Sequence, residues 1–174
     1  MRVETYKISE WEDTEQGVLL AENEDWILIK NIPADYQLDG FKILKKEFVE
    51  EKIHGDEEKL IERVLKLKKE EAKIPEGFAF LDTVEFLKWS EKKYGLFEFQ
   101  DEDDTELFYG RLRNSNTEKI RIDSVKSDGI IDTEFDCDFY IEDIRVITFE
   151  TDYFISIKLL MEDENPFLNT LKIV

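Results

Sequence analysis

The chain writes one pattern twice, and this constrains its fold more than any other feature. "DWILIKNI", Asp25 to Ile32, returns as "EKIRIDSV", Glu118 to Val125. At that shift Gly17 meets Gly110, Leu19 meets Leu112 and Asn23 meets Asn116. Ile27 and Ile29 meet Ile120 and Ile122, Ile32 meets Val125, and Asp35 and Asp39 meet Asp128 and Asp132. The spacing holds without a gap from residue 17 to residue 39, which points to an internal duplication.

The repeated unit reads as short strands. "GVLLAEN", "DWILIKNI", "GRLRNSN" and "EKIRIDSV" alternate at period two. "NEDW" and "NSNTEK" supply polar turn residues between them. "VETYKIS" and "LFEFQ" are first strands of the two copies, and "DGFKIL" and "IDTEFDCDF" later ones. After the strands the period changes. In "GDEEKLIERVLKLKKEE" Leu60, Ile61, Val64 and Leu67 recur at helical spacing, and Asp56 is placed to cap the start. The same shift gives Tyr153, Phe154, Ile157 and Leu160 in "YFISIKLL". Taken alone that segment looks like a strand, but the match to the first copy predicts a helix over 152–162. Between the copies, "LDTVEFLKWSEKKYG" carries capping-box spacing at Asp82 and Glu85, with Gly95 as a helix stop.

The expected fold is therefore α+β, mainly β. It has two repeated small antiparallel barrels of SH3/Sm-like type, each followed by a helix, with a joining helix between. The boundaries read as 1–73 for the first barrel and its helix, 74–95 for the joining segment, and 96–174 for the second barrel and its helix.

Apolar residues make up 41% of the 174, with 13 Phe, 6 Tyr and 3 Trp, enough for a core despite a net charge of −19. That charge opposes broad contact with nucleic acid or anionic lipid and attracts a basic protein. Cys137 is the single cysteine, so no internal disulfide forms. The first thirty residues show no basic start followed by an apolar run, and no apolar run approaches a membrane span. The expectation is a cytoplasmic soluble protein with no cofactor.

Strand parity sends the shared Leu19, Ile27, Ile29, Leu112, Ile120 and Ile122 toward the core. The residues between them face outward, and there the copies differ. Copy one presents Val18, Leu20, Trp26 and Leu28, an apolar face covered within the chain or offered to a partner. Copy two presents Arg111, Arg113, Lys119 and Arg121. These are candidates to grip an anion, or to pair with carboxylates such as Glu106, Asp123 or Glu134 across the sheet.

No catalytic motif appears. "QDEDDTE" gathers Asp101, Asp103 and Asp104 among its acids, a weak candidate for a divalent ion, but without EF-hand spacing it reads as a solvated turn. His54 stands alone as the one histidine, and Cys137, in an expected strand, suits a small buried thiol.

The order of strands around a central Gly followed by a helix, in "GRLRNSNTEKIRIDSV" and "YIEDIRVITFETDY", resembles small bacterial proteins with Sm-like or SH3-like barrels. The resemblance implies a barrel fold. Many Sm-like proteins bind RNA, an implication at odds with the acidic charge of this chain. The leading expectation is a non-enzymatic acidic protein that engages a basic partner, for example an immunity-type inhibitor of a cationic toxin. The alternative is a regulatory module binding RNA or a phosphorylated ligand through the Arg111/Arg113/Lys119/Arg121 face.

Overall fold

The computed structural model describes residues 1–168, so the last six residues of the expected 96–174 unit lie outside it. The chain turns at equivalent asparagines. Asn23 Oδ1 accepts the N–H groups of Asp25 and Trp26, and Asn116 Oδ1 those of Glu118 and Lys119, at 2.7–3.0 Å. These turns join β2 (Thr14–Glu22) to β3 (Trp26–Asn31), and β7 (Phe108–Ser115) to β8 (Lys119–Val125). Gly17 pairs with Asn31 and Gly110 with Ser124. Both hairpins slip register at the same place, between Leu19 and Ala21 and between Leu112 and Asn114. A shared bulge at a shared position is a repeated backbone feature, not only a repeated composition. The two glycines are needed for close approach: a Cβ on Gly17 would lie 2.6 Å from the Lys30 carbonyl oxygen, and one on Gly110 3.0 Å from that of Asp123.

The remaining strands complete two alike sets. In the first, β1 (Val3–Ile8) pairs with β2 and with β5 (Val49–Ile53), and β4 (Phe41–Lys45) pairs with β3. In the second, β6 (Phe97–Gln100) pairs with β7 and with β11 (Val146–Phe149), and β10 (Asp138–Tyr140) pairs with β8. The short β9 (Ile131–Asp132) adds to β8. The strands do not stand as two separate closed barrels. All strands belong to one open antiparallel sheet, ordered β10-β8-β7-β6-β11-β4-β3-β2-β1-β5. β11 finishes one set by pairing with β6 and then continues onto β4 of the other. That joint is largely apolar, with Val146 opposite Leu44, Ile147 opposite Ile43 and Phe149 opposite Phe41.

Three helices cover this sheet: α1 (Asp56–Leu67), α2 (Thr83–Tyr94) and α3 (Asp152–Glu164). The segment over 152–162 is helical, as its match to the first copy requires. Two local readings shift, however. Gly55, not Asp56, caps α1, and the Glu58 carboxylate accepts from Gly55 N–H and Thr5 Oγ1 at 2.7 Å each. The buried helix faces are also rotated from those expected. Ile61 and Leu65 are buried while Leu60 and Leu67 are exposed, and Phe154, Ile157 and Met161 are buried while Tyr153 and Leu160 are exposed. The second copy spends three more residues before its helix, so Ile61 corresponds to Ile157 and Leu65 to Met161.

Helix α2 follows its end signals. Asp82 accepts from Glu85 N–H at 2.9 Å, and Gly95 closes the helix in the left-handed conformation. Its Phe86 meets Trp26 edge-on at 5.2 Å, within a core that also holds Leu28, Phe97, Phe99, Phe149 and Phe154. One continuous apolar core thus spans both copies. Asp82→Ala should cost about 1 kcal/mol through the lost cap, read as a lower urea midpoint with an unchanged slope; no change would remove the cap from this account.

Candidate functional site

The two sequence-derived faces take up different fates. Trp26 and Leu28 are buried beneath α2, Val18 packs with Ile61 and Leu65 of α1, and Leu20 is partly buried between the two clusters. The apolar face of copy one is therefore covered within the chain and is not open to a partner. The basic face of copy two remains at the surface but is matched by acids. Arg113 Nε lies 2.7 Å from Asp123, and Arg111 3.6 Å from Glu91 of α2. Lys119 lies 3.6 Å from Asp138, and Arg121 contacts both Asp138 and Asp136. Asp123 is the one partner the sequence suggested; Glu91, Asp136 and Asp138 come from segments that folding brings near.

Asp101, Asp103 and Asp104 do not converge as metal ligands. Asp101 accepts Asp103 N–H, Asp103 accepts the N–H and hydroxyl of Thr105, and Asp104 Oδ2 accepts the N–H groups of Glu12 and Asp13 at 2.9 Å each. Their oxygens point at their own turn and at a loop of the other copy. Among the described residues no group of three or more His, Cys, Asp or Glu is placed to hold a metal ion. Cys137 is exposed just before β10, not buried in a strand as expected. His54 follows β5, where its Nδ1 donates to the Val3 carbonyl at 2.8 Å. The two residues thus sit beside the outermost strands at opposite ends of the sheet order.

What folding does assemble is a polar seam at the β11–β4 joint. Tyr109, Glu98, Thr148 and Lys42 stand side by side across β7, β6, β11 and β4. Glu98 is 3% exposed and accepts the Tyr109 hydroxyl on Oε2. Burial pushes its carboxyl up to about 7, against the opposing pull of that hydrogen bond and of the Lys42 charge. Lys42 Nζ grips both oxygens of Glu15, at 2.7 and 2.6 Å. Nearby, Arg145 is buried and its guanidinium reaches the Ser9 carbonyl and the Glu10 carboxylate, tying β11 to the loop after β1.

Above the seam lies a cleft of about 510 Å³ between the copies, lined by Trp11, Asp13, Glu15, Lys42, Gln100 and Asp104 among others. Trp11 Nε1 donates to the Asp101 carbonyl at 2.9 Å. Together with the Asp104 bonds to Glu12 and Asp13, this interlocks the 10–13 loop of copy one with the 101–106 loop of copy two. Both loops are rich in exposed carboxylates, so the interlock fuses them into one acidic ridge. A larger cleft of about 700 Å³ lies between the β2–β3 turn and the segment before α2. Its Lys45 and Lys46 are already paired with Glu47 and Glu22.

Sequence reasoning missed Glu98, Lys42, Gln100 and Arg145. The signal available was a carboxylate flanked by Phe97 and Phe99 in a short strand, which reads as an exposed alternate residue until copy one is laid against that side.

The chain matches no known family, curated protein or solved structure. Among the described residues no helix is long and apolar enough to cross a membrane.

Proposed function

We propose that this is a non-enzymatic binding protein whose acidic ridge engages a basic protein in the cytoplasm. One concrete form is an immunity-type inhibitor that covers the nucleic-acid groove of a cationic toxin. Its two halves are read as copies of one SH3/Sm-like barrel, opened and joined edge to edge.

The observation that carries this reading is the interlock of the 10–13 and 101–106 loops. Carboxylates held close together repel, and a chain of charge −19 has no electrostatic reason to gather them. Asp104 nevertheless fastens one acidic loop to the other through two backbone N–H groups. The result is a fixed field of one sign, which steers a cationic partner and speeds its association. The alternative, an anion site at Arg111, Arg113, Lys119 and Arg121, is weaker because every one of these cations has a carboxylate within 3.6 Å.

The test is a pull-down with the tagged protein from native lysate at low and high salt. A basic protein should be captured at low ionic strength and released as salt screens the ridge. Recovery of no basic protein at either salt would sink the proposal.

A further inference from the structure

The joint between the two copies is made by β11 and β4, and the strands that correspond to them lie at the free ends of the sheet. Trp26 and Lys119 are equivalent under the repeat; Trp26 pairs with Lys45 and Lys119 with Tyr140, so β10 holds in copy two the place of β4. Tyr6 and Phe99 are likewise equivalent; they pair with Lys52 and Ile147, so β5 holds in copy one the place of β11. Among the described residues β5 and β10 have one strand neighbour each. An edge of this kind presents unpaired N–H and C=O groups. At the internal joint Lys45 N–H donates to the Arg145 carbonyl at 2.9 Å. The matching groups are Tyr140 N–H and the Glu50 carbonyl. Ile141 N–H donates to the Glu118 carbonyl, beside β8, so Tyr140 N–H, one residue earlier, points to the open side.

Laying β5 on β10 in the register of the internal joint sets Glu50 opposite Tyr140, Glu51 opposite Phe139, Lys52 opposite Asp138 and Ile53 opposite Cys137. No like charges meet, although the chain carries 43 acidic against 24 basic residues. Lys52, the one cation of β5, falls opposite the one acid of β10. Opposite charges paired across strands stabilise them, whereas like charges would be the simplest way to blunt both edges. Lys52 already lies 2.7 Å from Glu22 and Asp138 already meets Arg121, so the contact joins two groups of ion pairs.

We propose that β5 of one molecule adds to β10 of another molecule of this chain, repeating between molecules the joint that β11 and β4 form within one. The inference stands apart from the acidic-ridge reading. The two edges differ, so the contact is heterologous and leaves each molecule an edge for the next. It lacks the apolar pairs of the internal joint, Val146 with Leu44 and Ile147 with Ile43, and two charges of −19 repel. It therefore forms at high protein concentration and is favoured when salt screens that repulsion.

Sedimentation velocity of the full chain in high salt, from micromolar to millimolar protein, should show the mass rising from one chain past two. Tyr140→Pro removes the edge N–H where φ is already −74°, a value proline adopts, and should leave the chain monomeric. Lys52→Glu, on the other edge, sets like charges opposite each other and should do the same. Tyr140→Pro keeps its β5 edge and Lys52→Glu its β10 edge, so an equal mixture should recover a complex of two chains and no more. Misfolded variants would not give that recovery. A parent mass of one chain at every concentration, association that survives either variant, or a mixture that stays monomeric overturns the proposal.

Discussion

Glu98→Gln should raise the melting temperature of this protein at pH 8 and raise it far less at pH 5. The folded state holds this carboxyl at about 7 because burial disfavours its charge, whereas its ordinary value is 4.5. Below about 4.5 both folded and unfolded chains carry the proton, and the group has no effect on stability. Between 4.5 and 7 the unfolded chain releases the proton while the folded chain keeps it, so stability falls as pH rises. Above 7 the full penalty stands, about 3 kcal/mol at 1.36 kcal/mol per pH unit. Glutamine removes the charge at every pH and keeps an oxygen to accept the Tyr109 hydroxyl. Thr148, opposite Glu98 on β11, stands beside the new amide. The expected gain at pH 8 is on the order of 5–10 °C for a chain of this length. Thermal melts of both proteins at pH 5 and pH 8 check it. An equal difference at the two pH values would mean that Glu98 does not carry a buried, raised carboxyl. The other charged groups that face it, Lys42 and Glu15, pull in opposite directions.

Gly40→Ala should destabilise the fold by about 2–5 kcal/mol, combining a left-handed backbone with overpacking. Gly40 has φ +62°, and a Cβ there would lie 2.4 Å from the Thr151 backbone nitrogen. Thr151 caps α3, and next to it Asp152 N–H donates to Asp39 Oδ1 at 2.8 Å. The glycine therefore lets copy one touch the first turn of the helix of copy two. Gly77 supplies the control: its φ is +74°, but nothing lies within 4 Å of its Cβ position. Gly77→Ala should cost only the conformational part, about 1 kcal/mol. Urea unfolding of the two variants separates the terms. Equal losses would show that the contact between Gly40 and α3 contributes nothing.

Read from the chain alone, the hairpins were the most legible part. Alternation at period two sets which side chains share a face, and Asn23 and Asn116 mark turns whose side-chain oxygens accept local N–H groups. The Asp82 cap and the Gly95 stop of α2 are equally local. These features depend on residues a few positions apart, where spacing and hydrogen-bonding capacity leave few options. The helix faces were legible only in part. The apolar stripe of α1 was read from its own spacing and lies less than one turn from the buried one, and the strand shift then carried it to α3, although the second copy takes a longer path to its helix.

By itself, then, the sequence determined that a strand pair is repeated, that a helix follows each copy and another joins them, and that charge must crowd the surface. Tertiary structure decided the rest: β11 lies against β4, so two sets of strands become one open sheet. That single pairing depends on residues about a hundred positions apart, and its apolar side chains fit many neighbours equally well, so no local rule names the partner. From it follow the burial of Glu98, the grip of Lys42 on Glu15 and the interlock of the two acidic loops. The same long-range folding brought Glu91, Asp136 and Asp138 to the basic face, where attraction between opposite charges closed a site that strand parity alone had left open.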